Sequence, residues 1–209
     1  MRTLLAVLGL IVPVLCAACS SDLAKPTRTE PGFVLPAAGD PTGTSLQVGD
    51  PFPKLQAVDL DGQGVVLDRR QWGARCTLII FWFTRCGFCR LEMPQEVALA
   101  KEYEQAGLRV IGVNCDESVE SAQETVETFG IPWLNLYEGP DRSISEALQV
   151  QAWPTLLLLD EEGRVVAGSS TLRSISGETL EDGNFRQING LEWVLRKRLG
   201  EPRPRTAGK

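Results

Sequence analysis

The sequence predicts an α/β domain in which a mixed central sheet is covered by helices on both faces. Three observations carry that prediction. The run from Thr77 to Phe83 is rich in β-branched and aromatic residues and reads as a buried strand. After it, segments with an apolar stripe at helical spacing alternate with short apolar runs. Two pairs of short runs, one before the buried strand and one near the end, flank tight turns and read as hairpins.

In chain order, Val58 to Leu67 carries two apolar runs around Asp61-Gly62 and predicts an N-terminal hairpin. The buried strand Thr77 to Phe83 follows. A helix opens at Gly87, with Met93, Val97, Ala100 and Tyr103 on one face, a kink expected at Pro94, and Gly107 as its end. Leu108 to Val113 predicts the next strand. Ser118 to Phe129 predicts a helix with Val119, Ala122, Val126 and Phe129 on one stripe, Ser121 and Glu124 at capping-box spacing, and Gly130 as its stop. Ser143 to Leu148 predicts a shorter helix, again with a capping box, Ser143 to Glu146. Thr155 to Asp160 and Arg164 to Ala167, joined at Glu161-Glu162-Gly163, predict the second hairpin. Phe185 to Leu199 predicts the last helix, with Ile188, Leu191, Leu195 and Leu199 on one side. The polar stretch Arg173 to Asn184 shows no role.

Residues 45–199 are the right length for one domain with one core. Before it, residues 1–19 read as an export signal: Arg2 gives the charged start, Leu4 to Leu15 the apolar run and Cys16-Ala17-Ala18-Cys19 the small-residue exit. Residues 20–44 hold Pro26, Pro31, Pro36 and Pro41 among few large apolar groups and read as a flexible linker. Residues 200–209 read as a disordered tail. The formal net charge is −6, with the basic residues scattered, which argues against nucleic acid as a partner.

The chemistry centres on Cys86-Gly87-Phe88-Cys89, two thiols at a helix N-terminus. Unpaired N–H groups and the helix dipole favour a thiolate on Cys86, and Cys89, one turn further in, is shielded. Cys89 is placed to attack a mixed disulfide on Cys86, which is thiol–disulfide exchange. Zinc needs four ligands, and the chain has no histidine and no second Cys-x-x-Cys pair, so no metal site is expected. The missing histidine also excludes a Cys-His hydrolase, and Arg90 breaks the haem-attachment pattern. The chemistry requires no dissociable cofactor.

The segment Phe81-Trp82 through Pro94 resembles the active-site segment of thioredoxin-like proteins. Cys89-Arg90-Leu91-Glu92-Met93-Pro94 looks most like the extracytoplasmic TlpA/ResA branch, and the likeness runs from about Val48 to Gly168. Arg85 and Phe88 depart from it, standing where the family usually has tryptophan and proline. The resemblance implies a thioredoxin fold with an N-terminal hairpin and a central insertion. It implies a cis peptide at Trp153-Pro154 against the two cysteines, with the Trp153 backbone pairing with an extended substrate. Glu92 matches a glutamate that moves protons at the pair; the alternative is an exposed acid favoured by the helix dipole. Ile80 stands where cytoplasmic thioredoxins carry a buried aspartate. Phe88 is expected to be exposed and to contact apolar substrate. Arg85 either further stabilises the Cys86 thiolate or is simply solvated.

By the same resemblance the reaction runs reductively on disulfides of exported proteins such as apocytochrome c, with electrons from a membrane dithiol donor. Cys16-Ala17-Ala18-Cys19 resembles a bacterial lipobox, with Cys16 where leucine normally stands; Cys19 would then be lipidated and anchor the protein to the membrane. Simple cleavage and secretion is the alternative. Other functions stay open: a thiol oxidase or isomerase of the same fold, a thiol peroxidase suggested by Thr84-Arg85-Cys86, or a non-catalytic binding module. Cys76 and Cys115 are expected at opposite ends of neighbouring parallel strands, about 20 Å or more apart, too far to bridge. Cys115 shares the sheet edge of the Cys86 helix and reads as a small buried hydrophobe.

Overall fold

The computed structural model describes residues 39, 42–68, 74–179 and 183–202. The expected export signal with Cys19, most of the expected linker 20–44 and residues 203–209 of the expected tail lie outside the described residues. Among those described, no helix is long and apolar enough to cross a membrane.

The elements in order are β1 (Leu55–Asp59), β2 (Gly64–Leu67), β3 (Cys76–Trp82), α1 (Gly87–Tyr103), β4 (Leu108–Asn114), α2 (Val119–Phe129), β5 (Leu134–Tyr137), α3 (Ser143–Ala147), β6 (Thr155–Asp160), β7 (Val165–Gly168), α4 (Ser169–Leu172), β8 (Ile175–Thr179), β9 (Phe185–Asn189) and α5 (Gly190–Leu199). β1 to β7 form one mixed sheet in the order β2-β1-β5-β4-β3-β6-β7. β3, β4 and β5 are parallel neighbours, so each needs a crossover, supplied by α1 and α2. β6 and β7 return antiparallel at one edge, and the β1–β2 hairpin closes the other against β5.

All seven residues of β3 are buried, because helices cover both faces of the sheet there. Alternation along the strand sends Leu78, Ile80 and Trp82 into one core with α1 and α5. Ile79 and Phe81 go into the other, with Phe52 and the Ile144 and Leu148 side chains around α3. At roughly 1.5–3 kcal/mol for each large apolar side chain removed from water, this strand stabilises the fold more than any single cap or ion pair.

Four details correct the sequence reading. β5 was not legible: Leu134–Tyr137 is a four-residue run between Pro132 and Gly139-Pro140, too short to show a period. Its Asn135 is buried and accepts a hydrogen bond from the Trp82 indole at 3.0 Å, tying β5 to β3 across β4. Ser118, not Ser121, caps α2, accepting from the Ser121 N–H at 3.2 Å. Ser143 caps nothing; the Glu138 carboxylate accepts from the N–H groups of Ile144 and Ser145 at 2.9 and 2.8 Å. The last helix starts at Gly190, five residues later than expected, because Phe185–Asn189 pairs antiparallel with Ile175–Thr179. Asn189 then caps α5 by accepting from the Glu192 N–H at 2.7 Å. The stretch without an assigned role thus contributes β8 of a separate two-stranded hairpin, for which Asp182-Gly183 is the sequence signal.

The fold also takes in residues expected in the linker. Thr42 is fully buried, and its carbonyl accepts from the Ser169 N–H at 3.2 Å. A Cβ at Gly168 would run into the Thr42 backbone, so the close approach requires glycine.

Candidate active site

The turn Phe83-Thr84-Arg85 leaves the C-terminal end of β3 and delivers Cys86 to the N-terminus of α1. Cys86 is the N-cap residue, in extended conformation, and its Sγ accepts from the Cys89 N–H at 3.1 Å. The two cysteines form a disulfide, with Cα atoms 5.2 Å apart. Cys89 is 1% exposed and Cys86 7% exposed, so Cys86 is the more accessible residue of the pair. Around them α1 presents apolar surface: Phe88 is 65% and Leu91 74% exposed. Arg85 is exposed beside the pair, whereas Arg90 lies over the Phe129 ring of α2, 5.3 Å from its centroid.

The turn is held by a polar cluster that sequence reasoning missed. The Thr84 N–H donates to both oxygens of the buried Asp116 carboxylate at 3.0 Å, and the Thr84 hydroxyl donates to Oδ2 at 2.8 Å. Asn114 Nδ2 adds a third donor at 2.8 Å. Asp116 therefore fixes the peptide two residues before Cys86. Its only sequence signal was position, immediately past the C-terminal end of a parallel strand, where α/β sites collect.

A groove of about 570 Å³ opens at the turn that leads into Cys86, with Phe83, Arg85, Cys115, Asp116, Arg142 and Trp153 among its lining residues. Trp153-Pro154 is a cis peptide. Thr155 pairs with Phe81 at the end of β6, so Pro154 lies at the same end of the sheet as the turn to Cys86. Trp153 meets Phe83 edge-on at 5.9 Å between ring centroids, and the Arg142 guanidinium lies 5.4 Å from its ring centroid. Cys115 is half-buried and unbridged. Burial, with the nearby negative charges of Glu138 and Asp116, pushes its thiol up to about 12. Cys76, at the far end of β3, is buried and also unbridged.

Glu92 is half-buried and not a free acid. Arg173, just after α4, grips its carboxylate: Nε donates at 3.1 and 2.9 Å and Nη2 at 2.6 Å. One turn further along α1, Glu96 is 4% exposed, and neither of its carboxylate oxygens has a hydrogen-bond partner. Burial, then the neighbouring Glu92 charge, push Glu96 up to about 8 against the opposing effect of Arg173. The residues described contain no cluster of three or more histidine, cysteine, aspartate or glutamate side chains arranged to hold a metal ion.

A family model for Redoxin matches residues 47–172. The chain belongs to the Redoxin family. Among curated relatives, the thiol-disulfide oxidoreductase ResA of Halalkalibacterium halodurans is 29% identical over 108 residues, covering 52% of this chain and 60% of that protein, less than two thirds of its length. Among solved structures, the thioredoxin domain of a thiol-disulfide oxidoreductase from Bacteroides vulgatus superposes with a TM-score of 0.54 at 26% identity, covering 59% of this chain and 89% of that one. A thiol:disulfide interchange protein from Bacteroides sp. shares the fold at a TM-score of 0.60 and 24% identity, covering 78% and 97%. This Redoxin chain therefore has the thioredoxin-like fold that its motif implied, resembling the TlpA/ResA group.

The structure brings Cys86, Cys89, Arg85 and Trp153 to one end of the sheet around the turn and groove. Glu92 shares Cys89's face of α1, and its carboxylate is turned to Arg173 just after α4. Sequence reasoning passed over Glu96 because, at the spacing of an amphipathic helix, it reads as one more solvated acid. Its neighbours Val97 and Ala100 are buried too, and that was the available hint.

Proposed function

We propose that this protein is a thiol–disulfide oxidoreductase that reduces disulfides of exported proteins in the cell envelope. The observation that carries the reading is the Cys86–Cys89 disulfide at a helix N-terminus, entered by a turn whose Phe83, Thr84 and Arg85 line an open groove. In the dithiol form, Cys86 ionises at the helix N-terminus and attacks one sulfur of a substrate disulfide; the other substrate sulfur leaves as thiolate. Cys89 then loses its proton and attacks Cys86 Sγ, which closes the disulfide and releases the second substrate thiolate. Two electrons pass from the dithiol to the substrate. Trp153 and Pro154 shape the groove for an extended substrate segment, and exposed Phe88 and Arg85 offer it apolar and cationic contact. A membrane dithiol donor resupplies the electrons, and Cys19, if lipidated, keeps the domain at the membrane, where apocytochrome c cysteines are candidate substrates.

A trapping experiment tests the roles of the two sulfurs. The Cys89→Ser variant, mixed with a disulfide-bonded protein substrate, is expected to accumulate a covalent adduct through Cys86 that dithiothreitol releases. Cys86→Ser is expected to form none. Equal adduct from both variants, or from neither, contradicts the assignment.

A further inference from the structure

Cys89 is 1% exposed, yet it must take up and give back a proton in each cycle, so something other than bulk water has to carry it. On α1 the positions 89, 92 and 96 follow the spacing i, i+3, i+7 and share one face. Between Cys89 and Glu96 lies about 10 Å of helix axis, with Glu92 midway. Glu96 borders a cleft of about 90 Å³ shared with Glu92, Arg173 and Asn189. At roughly 10–15 Å³ for each water centre, it has room for several waters. The charged groups facing Glu96 are Glu92 on its own helix and Arg173 beyond α4. Gln95 and Asn189 are neutral, and β6, α4 and α5 present leucines. A carboxyl with both oxygens unpartnered in such a place is stable only as the neutral acid, unless a proton acceptor is coupled to it.

Resting on the dithiol reading above, we propose that Glu96 is the proton relay of Cys89, acting through Glu92 and water in the cleft and not by contact. When an incoming dithiol reductant attacks Cys86, the Cys86–Cys89 bond breaks and Cys89 leaves with the electron pair. The Glu96 acid then supplies the proton that makes Cys89 a thiol, and the Glu96 carboxylate recovers a proton from solvent through the cleft. In the oxidative direction Cys89 must lose its proton to close the disulfide, and ionised Glu96 receives it. Arg173 Nη2 holds the Glu92 carboxylate at 2.6 Å, which fixes Glu92 between Cys89 and Glu96 along the helix.

Opening the disulfide needs Glu96 protonated, so its rate falls as pH rises through about 8; closing needs Glu96 ionised, so its rate rises over the same interval. Single-turnover opening by dithiothreitol, corrected for its thiolate fraction, and closing onto a disulfide substrate would be followed by tryptophan fluorescence from pH 5.5 to 9.5. Glu96→Gln is expected to lose the inflection near pH 8 from both profiles and to close at least about tenfold more slowly at pH 8.5. Glu96→Met, which fills the site with an apolar chain, should behave alike. Arg173→Met should move the inflection upward, because the cation that favours the ionised acid is gone. If the folded Gln and Met variants keep the wild-type inflection, the relay is wrong while the redox reading stands. If the wild-type protein exchanges no disulfide at all, the redox reading fails and the relay with it.

Discussion

Cys86 and Cys115 sit at the same end of neighbouring strands, and their surroundings give them opposite chemistry. Cys86 meets a helix N-terminus, which favours a thiolate, whereas Cys115 is half-buried with Glu138 and Asp116 nearby and is held as a neutral thiol. In the native, disulfide-bonded protein, iodoacetamide at pH 8 is therefore expected to label Cys115 at least about tenfold more slowly than a free cysteine peptide, even allowing for the greater nucleophilicity of a high-pKa thiolate. Labelling at the free-peptide rate contradicts this. At this scale the sequence was informative where a residue type alone dictates chemistry, as for the two thiols in Cys-x-x-Cys. It was silent where partners decide: Glu92 read as either a proton carrier or a surface acid, and only its bidentate contact with Arg173, 81 positions away, shows that it is held. Asp116 and Glu96 differ in the same way. Asp116 is buried with three donors and Glu96 with none, and nothing in either local sequence separates them.

Among the elements, β3 and α1 were legible because each carries its own signal, a continuous apolar run and a striped face opening on the cysteines. β5 and the β8–β9 hairpin were not, since both are short and owe their conformation to pairing. The apparent start of the last helix at Phe185 shows how a striped sequence can extend past a real cap; Asn189 in extended conformation ends the strand and begins the helix. β3, β4 and β5, already paired as parallel neighbours, are tied further by a buried contact in which the Trp82 indole reaches Asn135 over Gly112. A Cβ at Gly112 would overlap both side chains. Gly112→Ala is accordingly expected to cost about 1–3 kcal/mol in urea unfolding, since either the packing or the buried hydrogen bond must give way. A change within about 0.5 kcal/mol would mean that the three strands adjust without that contact.

For the whole molecule, the parallel core β3-α1-β4-α2-β5 carries the ends of β3 and β4, the turn at Thr84 and the mouth of β6 to one end of the sheet, and the Cys86–Cys89 disulfide sits where they meet. The shared end of β3 and β4 was legible from strand direction, whereas the arrival of Trp153-Pro154 at the mouth of β6 was implied only by the family resemblance. The direction of electron flow is not written in that geometry. It depends on how far the helix N-terminus, Arg85 and the buried acids stabilise the dithiol relative to the disulfide. The reduction potential of the Cys86–Cys89 pair, measured at pH 7 by equilibration in graded thiol–disulfide buffers, tests this most directly. A value near that of thioredoxin, about −270 mV, is expected for a protein that reduces exported proteins. A value near about −120 mV would make the protein an oxidant and contradict the direction proposed for it.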